Sequence, residues 1–275
     1  MNVFTVDVEE WFHVCGIEAT LSPEQWNSLP TRVVPTTMRV LDLLDRAGVS
    51  ATFFVVGWIA ERYPELIKAI AAAGHEVGSH GQWHRRVYEL GPDAFADDLS
   101  QSVRSIVAAG MPAPTAYRAP EWSINDRAPW ALDELTRQGF TVDASMAPLR
   151  MVGNIHYPRD PHVLPTQHGS IVEVPPLVGD RFGQVMPLGW GWGLRMSSPQ
   201  RILRAIGELN DSGRRAVLTL HPWEIDPDPP RMPLPPRLRF AHYFRLTGFE
   251  SRLKTIVHAT TFSTLAETAR CVRAT

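Results

Sequence analysis

Two hydrophobic periods alternate along this chain. Val3 to Glu9 has period two: Val6 and Val8 face one way, while Thr5, Asp7 and Glu9 face the other. Pro35 to Ala47 carries an apolar stripe at helical spacing (Val40, Leu41, Leu43, Leu44), and Gly48 stops it. Ala51 to Val56 is a short apolar run, predicting a buried strand. Ile59 to Ala73 predicts a second helix, ended by Gly74, and a strand leads from there into His80. Pro92 to Ala109 and Asp126 to Gln138 predict further helices, and Thr115 to Arg118 and Phe140 to Ala144 predict strands. Later come strands at Ile171 to Val174 and Ala216 to Leu220, helices at Pro199 to Leu209 and Glu250 to His258, and a strand-helix piece from Phe262 to Cys271. Residues 145–170, 177–197 and 226–239 read as loops, the last crossing the surface. Strand, loop and helix recur with strands about 25–35 residues apart, the pattern of a parallel sheet or barrel.

Polar residues recur where the predicted strands end: Asp7 and Glu9, Ser79 and His80, Arg118, Asp143, and His221. In βα barrels the site lies at the carboxyl ends of the strands, so these distant residues converge there. Two carboxylates on one face of a strand end are costly unless water, a cation or a metal compensates. His80 and His84 stand four apart, and on a helical turn both would reach one metal ion. They read equally as two ordinary surface histidines. Gly81 stands where the zinc-protease signature places its glutamate, so that enzyme's base is missing. Trp190 and Trp192 in a Gly-rich run read either as loop packing or as a platform for sugar rings.

Composition narrows the class. The 275 residues are 44% hydrophobic and 20% charged, enough for a large core in one domain. A net charge of -2 gives no reason to expect nucleic acid, and no apolar run is long enough to span a membrane. The opening Met1-Asn2-Val3-Phe4-Thr5-Val6-Asp7 lacks the features of a signal peptide, so a cytoplasmic location is expected. Cys15 and Cys271 form no CxxC pair.

Five segments together resemble the polysaccharide deacetylases of the NodB-homology type, carbohydrate esterase family 4. They are Phe4-Thr5-Val6-Asp7-Val8-Glu9, His80-Gly81-Gln82-Trp83-His84, Arg118-Ala119-Pro120, Val142-Asp143-Ala144-Ser145 and Leu218-Thr219-Leu220-His221-Pro222. Asp7-Val8-Glu9-Glu10-Trp11-Phe12, with the tail from His242-Tyr243-Phe244 through Phe262, resembles the branch associated with exosortase and exopolysaccharide clusters. The resemblance implies a single-domain α/β fold, a distorted (β/α)₇ barrel. The expected boundaries are 1–225 for the barrel and 226–275 for a C-terminal extension packed on it. It also implies removal of N-acetyl groups from an acetylated amino-sugar polymer.

The resemblance assigns roles. Asp7 would be the general base, Arg118 would hold it, and His221 would be the general acid, oriented by Asp143. His80 and His84 would bind Zn²⁺ or another divalent metal with an acidic third ligand; strand parity favours Glu9, with Glu10 the alternative. Pro120, Trp122, Trp190 and Trp223 are the substrate-binding candidates. His13, His75, His156, His162, His168, His242 and His258 read as structural or solvent-facing. Gly81 replaces the serine many members have after the first histidine and so offers no hydroxyl to brace the loop. Polymer-export machinery is the expected partner. Two other functions fit: a small cyclic-amide hydrolase of the allantoinase kind, and a non-catalytic carbohydrate-binding protein.

Overall fold

The computed structural model describes residues 1–275 except Ala19, Phe182 and Thr275, and leaves the Arg181 side chain undescribed. The first half runs β1 (Asn2–Val8), α1 (Val33–Ala47), β2 (Thr52–Val55), α2 (Gly57–Arg62), α3 (Pro64–Ala72), β3 (Glu76–Ser79), α4 (Val87–Leu90), α5 (Pro92–Ala108), β4 (Ala116–Tyr117) and α6 (Ala131–Arg137). The middle runs β5 (Val142–Asp143), β6 (His162–Thr166), β7 (Gly169–Glu173), β8 (Val178–Arg181), β9 (Gln184–Pro187) and α7 (Gly191–Met196). The end runs α8 (Pro199–Asp211), β10 (Val217–Leu220), α9 (Pro236–Tyr243), α10 (Phe249–Ala259), β11 (Phe262–Ser263) and α11 (Leu265–Ala274).

The main sheet follows the order β10-β1-β2-β3-β4-β5-β7-β6, with β11 pairing the start of β1. All neighbours in it are parallel except β6 and β7. The sheet curls into a half-barrel, and the chain after β7 returns to its far edge. There Leu177 N–H donates to Val217 O and Thr219 N–H to Gly189 O. This is the distorted NodB-type barrel that the strand-helix rhythm and the motifs implied. β1 lies between β10 and β2 and is buried along its whole length.

Four expected elements come out differently; one is the 177–197 stretch, expected as loop, which forms the β8–β9 hairpin and α7. The helix expected over 59–73 is two helices, because Pro64 has no N–H to donate and disfavours helical backbone at Tyr63. Within the loop-rich 145–170 stretch, β6 forms an antiparallel edge strand on β7; Pro165 fits an edge, where no partner needs its amide. The proline-rich 226–239 crossing runs into α9, which starts at Pro236.

Candidate active site

β1 delivers two carboxylates to one place. Asp7 is its penultimate residue, and Glu9 continues the same alternation just beyond its end. Both are about 4% exposed. Glu10 turns the other way: its carboxylate accepts the backbone N–H groups of Arg32 and Val33 and caps α1. Burial, only partly offset by those amides, raises Glu10 to about 7. Of the two acids, Glu9 is the one whose carboxylate lies with His80 and His84.

The two histidines converge without a helix. Residues 80–84 form a loop in which Gly81 has φ +73° and His84 has φ +48°. A Cβ on Gly81 would sit 2.7 Å from Asp98 Oδ2, so only glycine fits. Asp98 also supplies the brace that a serine was expected to give. Its carboxylate accepts the N–H groups of Gln82 at 2.8 Å and Trp83 at 3.1 Å. Sequence patterning had no way to find it, because Asp98 lies on α5.

Ligating atoms of Glu9, His80 and His84 all lie within 4.8 Å of one another. His84 Nε2 is 2.5 Å from Glu9 Oε2, and His80 Nε2 is 3.8 Å away. His80 Nδ1 faces the Arg118 carbonyl at 2.7 Å; donating there leaves the Nε2 lone pair turned to Glu9. Burial pushes His80 down to about 4, so it is neutral. Burial would also lower His84, but the Glu9 charge and hydrogen bond outweigh it and raise it. Burial opposes ionisation of Glu9, yet His84, His221 and His80 hold its carboxyl well below the usual range. One carboxylate oxygen and two imidazole nitrogens, with room for further ligands, form a donor set that fits a divalent metal. Trp223 Nε1 donates to Glu9 Oε1 at 2.9 Å and fixes the carboxylate's orientation. Cys15 Sγ lies 3.6 Å from His84 Nδ1.

Arg118 is almost wholly buried. Its Nη1 donates to Asp7 Oδ1 at 3.1 Å and to Thr5 and Thr219 hydroxyls at 2.8 Å, and its Nε to Ala144 O at 2.9 Å. Its guanidinium also faces the Phe54 and Trp122 rings, at 4.7 and 4.5 Å.

His221 Nε2 lies 3.8 Å from both Asp7 Oδ2 and Glu9 Oε1. Its other nitrogen pairs with Glu224 Oε2 at 2.9 Å. Burial would lower this imidazole, but Glu9 and Glu224 raise it to about 9. The orienting contact expected of Asp143 is thus made by Glu224, three residues on in the same turn. Asp143 instead accepts from the Ser145 hydroxyl at 2.5 Å and pairs with Glu173. Burial and the adjacent Asp143 charge push Glu173 well up.

Asp7, Glu9, His80, His84, Arg118 and His221 line one cleft of about 370 Å³. Trp122, Trp190, Trp192 and Trp223 line it too, as do His13 and His242, which sequence patterning had set aside. Trp122 and Trp190 pack ring to ring at 5.0 Å. Pro120 is buried beneath the adjoining turn, where Glu121 and Trp122 hold φ of +51° and +57°. Such backbone costs about 1–3 kcal/mol per residue and gathers at functional sites.

Residues 26–141 match the family described as polysaccharide deacetylase, and residues 144–270 a domain of unknown function, DUF3473. A peptidoglycan deacetylase of Helicobacter pylori is 34% identical over 108 residues, covering 39% of this chain and 36% of the relative. A chitooligosaccharide deacetylase of Bradyrhizobium is 39% identical over 85 residues, 30% of this chain and 39% of the relative. The chain thus matches less than half the length of these curated relatives. A protein from Mycobacterium smegmatis described as a polysaccharide deacetylase shares the fold at TM-score 0.64 and 23% identity, over 99% of this chain and 89% of that one. An allantoinase shares it at TM-score 0.63 and 15% identity, over 99% and 90%. Residues 26–141 are thus similar to polysaccharide deacetylases, the segment after them matches a domain of unknown function, and the whole chain shares the fold of solved NodB-type structures.

Proposed function

We propose that the chain is a metal-dependent hydrolase that removes N-acetyl groups from amino-sugar residues of a polysaccharide, an exopolysaccharide or related glycan. The observation that carries this reading is the convergence of Asp7, the Glu9–His80–His84 donor set and His221 in one aromatic-lined cleft. Zn²⁺ or another divalent ion held by Glu9, His80 and His84 would supply Lewis acidity and lower the pKa of water to about 7. Asp7, its carboxylate held by Arg118, takes a proton from the attacking water. His221 gives a proton from Nε2 to the leaving amine, which departs poorly until protonated. Glu224 keeps the proton on the opposite ring nitrogen and so fixes the imidazole's direction. Trp122 and Trp190 border the place where the sugar would lie, whereas Pro120, expected there too, is buried beneath the turn and does not line the cleft, and Trp223 mainly orients Glu9.

The fold alone does not separate this reading from a cyclic-amide hydrolase, since an allantoinase superposes as well as a deacetylase does. The names of the sequence relatives and the tryptophan-lined cleft favour an acetylated glycan. Metal content and acetate release from chito-oligosaccharides, for wild type and His80→Ala, test the proposal. Near one metal per chain with acetate release, both lost in the variant, is expected. Metal bound with no acetate released from any acetylated glycan would reject the substrate class.

A further inference from the structure

α9 stands outside the barrel but against its site. Leu238, Ala241 and His242 line the same cleft as Asp7 and His221. His242 is 9% exposed, and its buried Nε2 has no protein partner.

Arg195, at the end of α7, is 2% exposed and ties this helix down. Its Nη2 donates to Ala241 O at 2.6 Å, and its Nη1 to the carbonyls of His242, at 3.3 Å, and Phe244. These oxygens belong to the end of α9, where helix carbonyls lack helical partners. The same guanidinium turns its Nε to Glu224 Oε1 at 2.8 Å. Glu224 Oε2 in turn accepts from the His221 backbone N–H at 3.0 Å and pairs with His221 Nδ1 at 2.9 Å. A second path runs beside the first. The Trp223 ring stacks on His242 at 4.1 Å and on His221 at 5.6 Å. Two routes, one of hydrogen bonds and one of stacked rings, thus join the helix that walls the cleft to the histidine at its floor.

We propose that Arg195 is a positioning residue that couples α9 to His221, so that glycan seated against α9 and the alignment of His221 depend on each other. What His221 does rests on the deacetylase reading; the coupling itself does not. The planar fork of arginine is what the geometry uses, because one group must reach Glu224 and three carbonyls at once. A lysine can keep the ion pair but cannot span the helix end.

The test compares wild type, Arg195→Met and Arg195→Lys as full chains. Three quantities are read: amide hydrogen exchange in α9, the His221 Nδ1 proton signal by NMR, and kcat and KM on chitopentaose. In Arg195→Met, α9 exchange should rise at least about tenfold, the His221 signal should vanish, and kcat should fall about 100-fold, as small misplacements of reacting groups do. Arg195→Lys should show both effects in step and smaller than the methionine variant does: α9 exchange faster and KM raised, with the His221 signal weakened and kcat lowered. If the methionine variant loosens α9 but leaves the His221 signal intact, Arg195 is a helix anchor and the coupling is overturned. Loss of the signal with α9 unchanged overturns it equally. Should the methionine variant not fold, a lysine variant with both α9 exchange and KM at wild-type values overturns it. If wild type releases no acetate, exchange and NMR still decide the coupling, and only the deacetylase reading fails.

Discussion

The two ends of the parallel sheet use similar polar residues to different ends. At the amino ends of the strands, the Asn2 side chain donates to Asn210, Thr260 and Thr261 and accepts the Ala216 N–H. The Thr52 hydroxyl donates to Glu76 and accepts from Leu265 N–H, and Glu76 accepts from Ala266 N–H. These groups are satisfied by fixed partners and staple the last strand and helix to the barrel. At the carboxyl ends, Arg118 Nη2, His13 Nε2 and His242 Nε2 are buried without protein partners. Carboxyls there are driven from their ordinary range in both directions: Glu9 is lowered, while Glu10, Asp143 and Glu173 are raised. Buried polar groups normally find partners, so a cluster that does not is kept for chemistry or for a ligand. Satisfaction, rather than residue type, separates the Asn2, Thr52 and Glu76 cluster from the reactive end.

The comparison can be broken by substitution at each end. The largest effect is expected from Arg118→Met, which leaves Asp7 and Asp143 as buried charges without their cation. Stability in urea should fall by about 3–5 kcal/mol; a loss below about 1 kcal/mol would mean the reactive end carries no such electrostatic load. Next, Asn2→Ala leaves the buried Ala216 N–H unmet and should cost about 1–3 kcal/mol. Its kcat should stay at the wild-type value, and a fall in kcat with stability unchanged would erase the contrast between the ends.

The smallest effect sharpens the contrast within the site. His221 stands raised to about 9 by carboxylates that include Glu224. Its charged form therefore adds stability that is complete below the ordinary histidine value near 6.5 and is lost as pH rises through about 9. Glu224→Gln should lower the His221 NMR titration of the metal-free protein by about one unit, worth about 1.4 kcal/mol. The variant should then lose less stability than wild type between pH 7 and 10. An unmoved titration would leave Glu224 without a part in the site.

Much of this was legible because strand periodicity is strict. The alternation from Val3 to Glu9 placed Asp7 and Glu9 on one face, and the βα rhythm placed His80, Arg118 and His221 at the carboxyl ends of strands. Other features were not legible. Helical spacing suggested a helical turn for His80 and His84, but a glycine-dependent loop joins them, and its brace, Asp98, comes from α5. Glu224 lay beside a recognised motif, three residues after His221, the spacing that lets a side chain fold back within one turn. Asp143 drew attention through its motif, whereas its partner Glu173 arrives through pairing of β5 with β7. The part of α9 depends wholly on tertiary packing. Local periodicity is silent about which distant helix end a buried arginine will satisfy.

The central claim is that Asp7 acts as a base beside a separate metal site. The most direct measurement is metal content and acetate release for Asp7→Asn, which keeps the side chain's shape and removes its charge. The account predicts metal bound as in wild type, with acetate release down by about 10²–10⁴-fold. Acetate release near the wild-type rate from Asp7→Asn would contradict it.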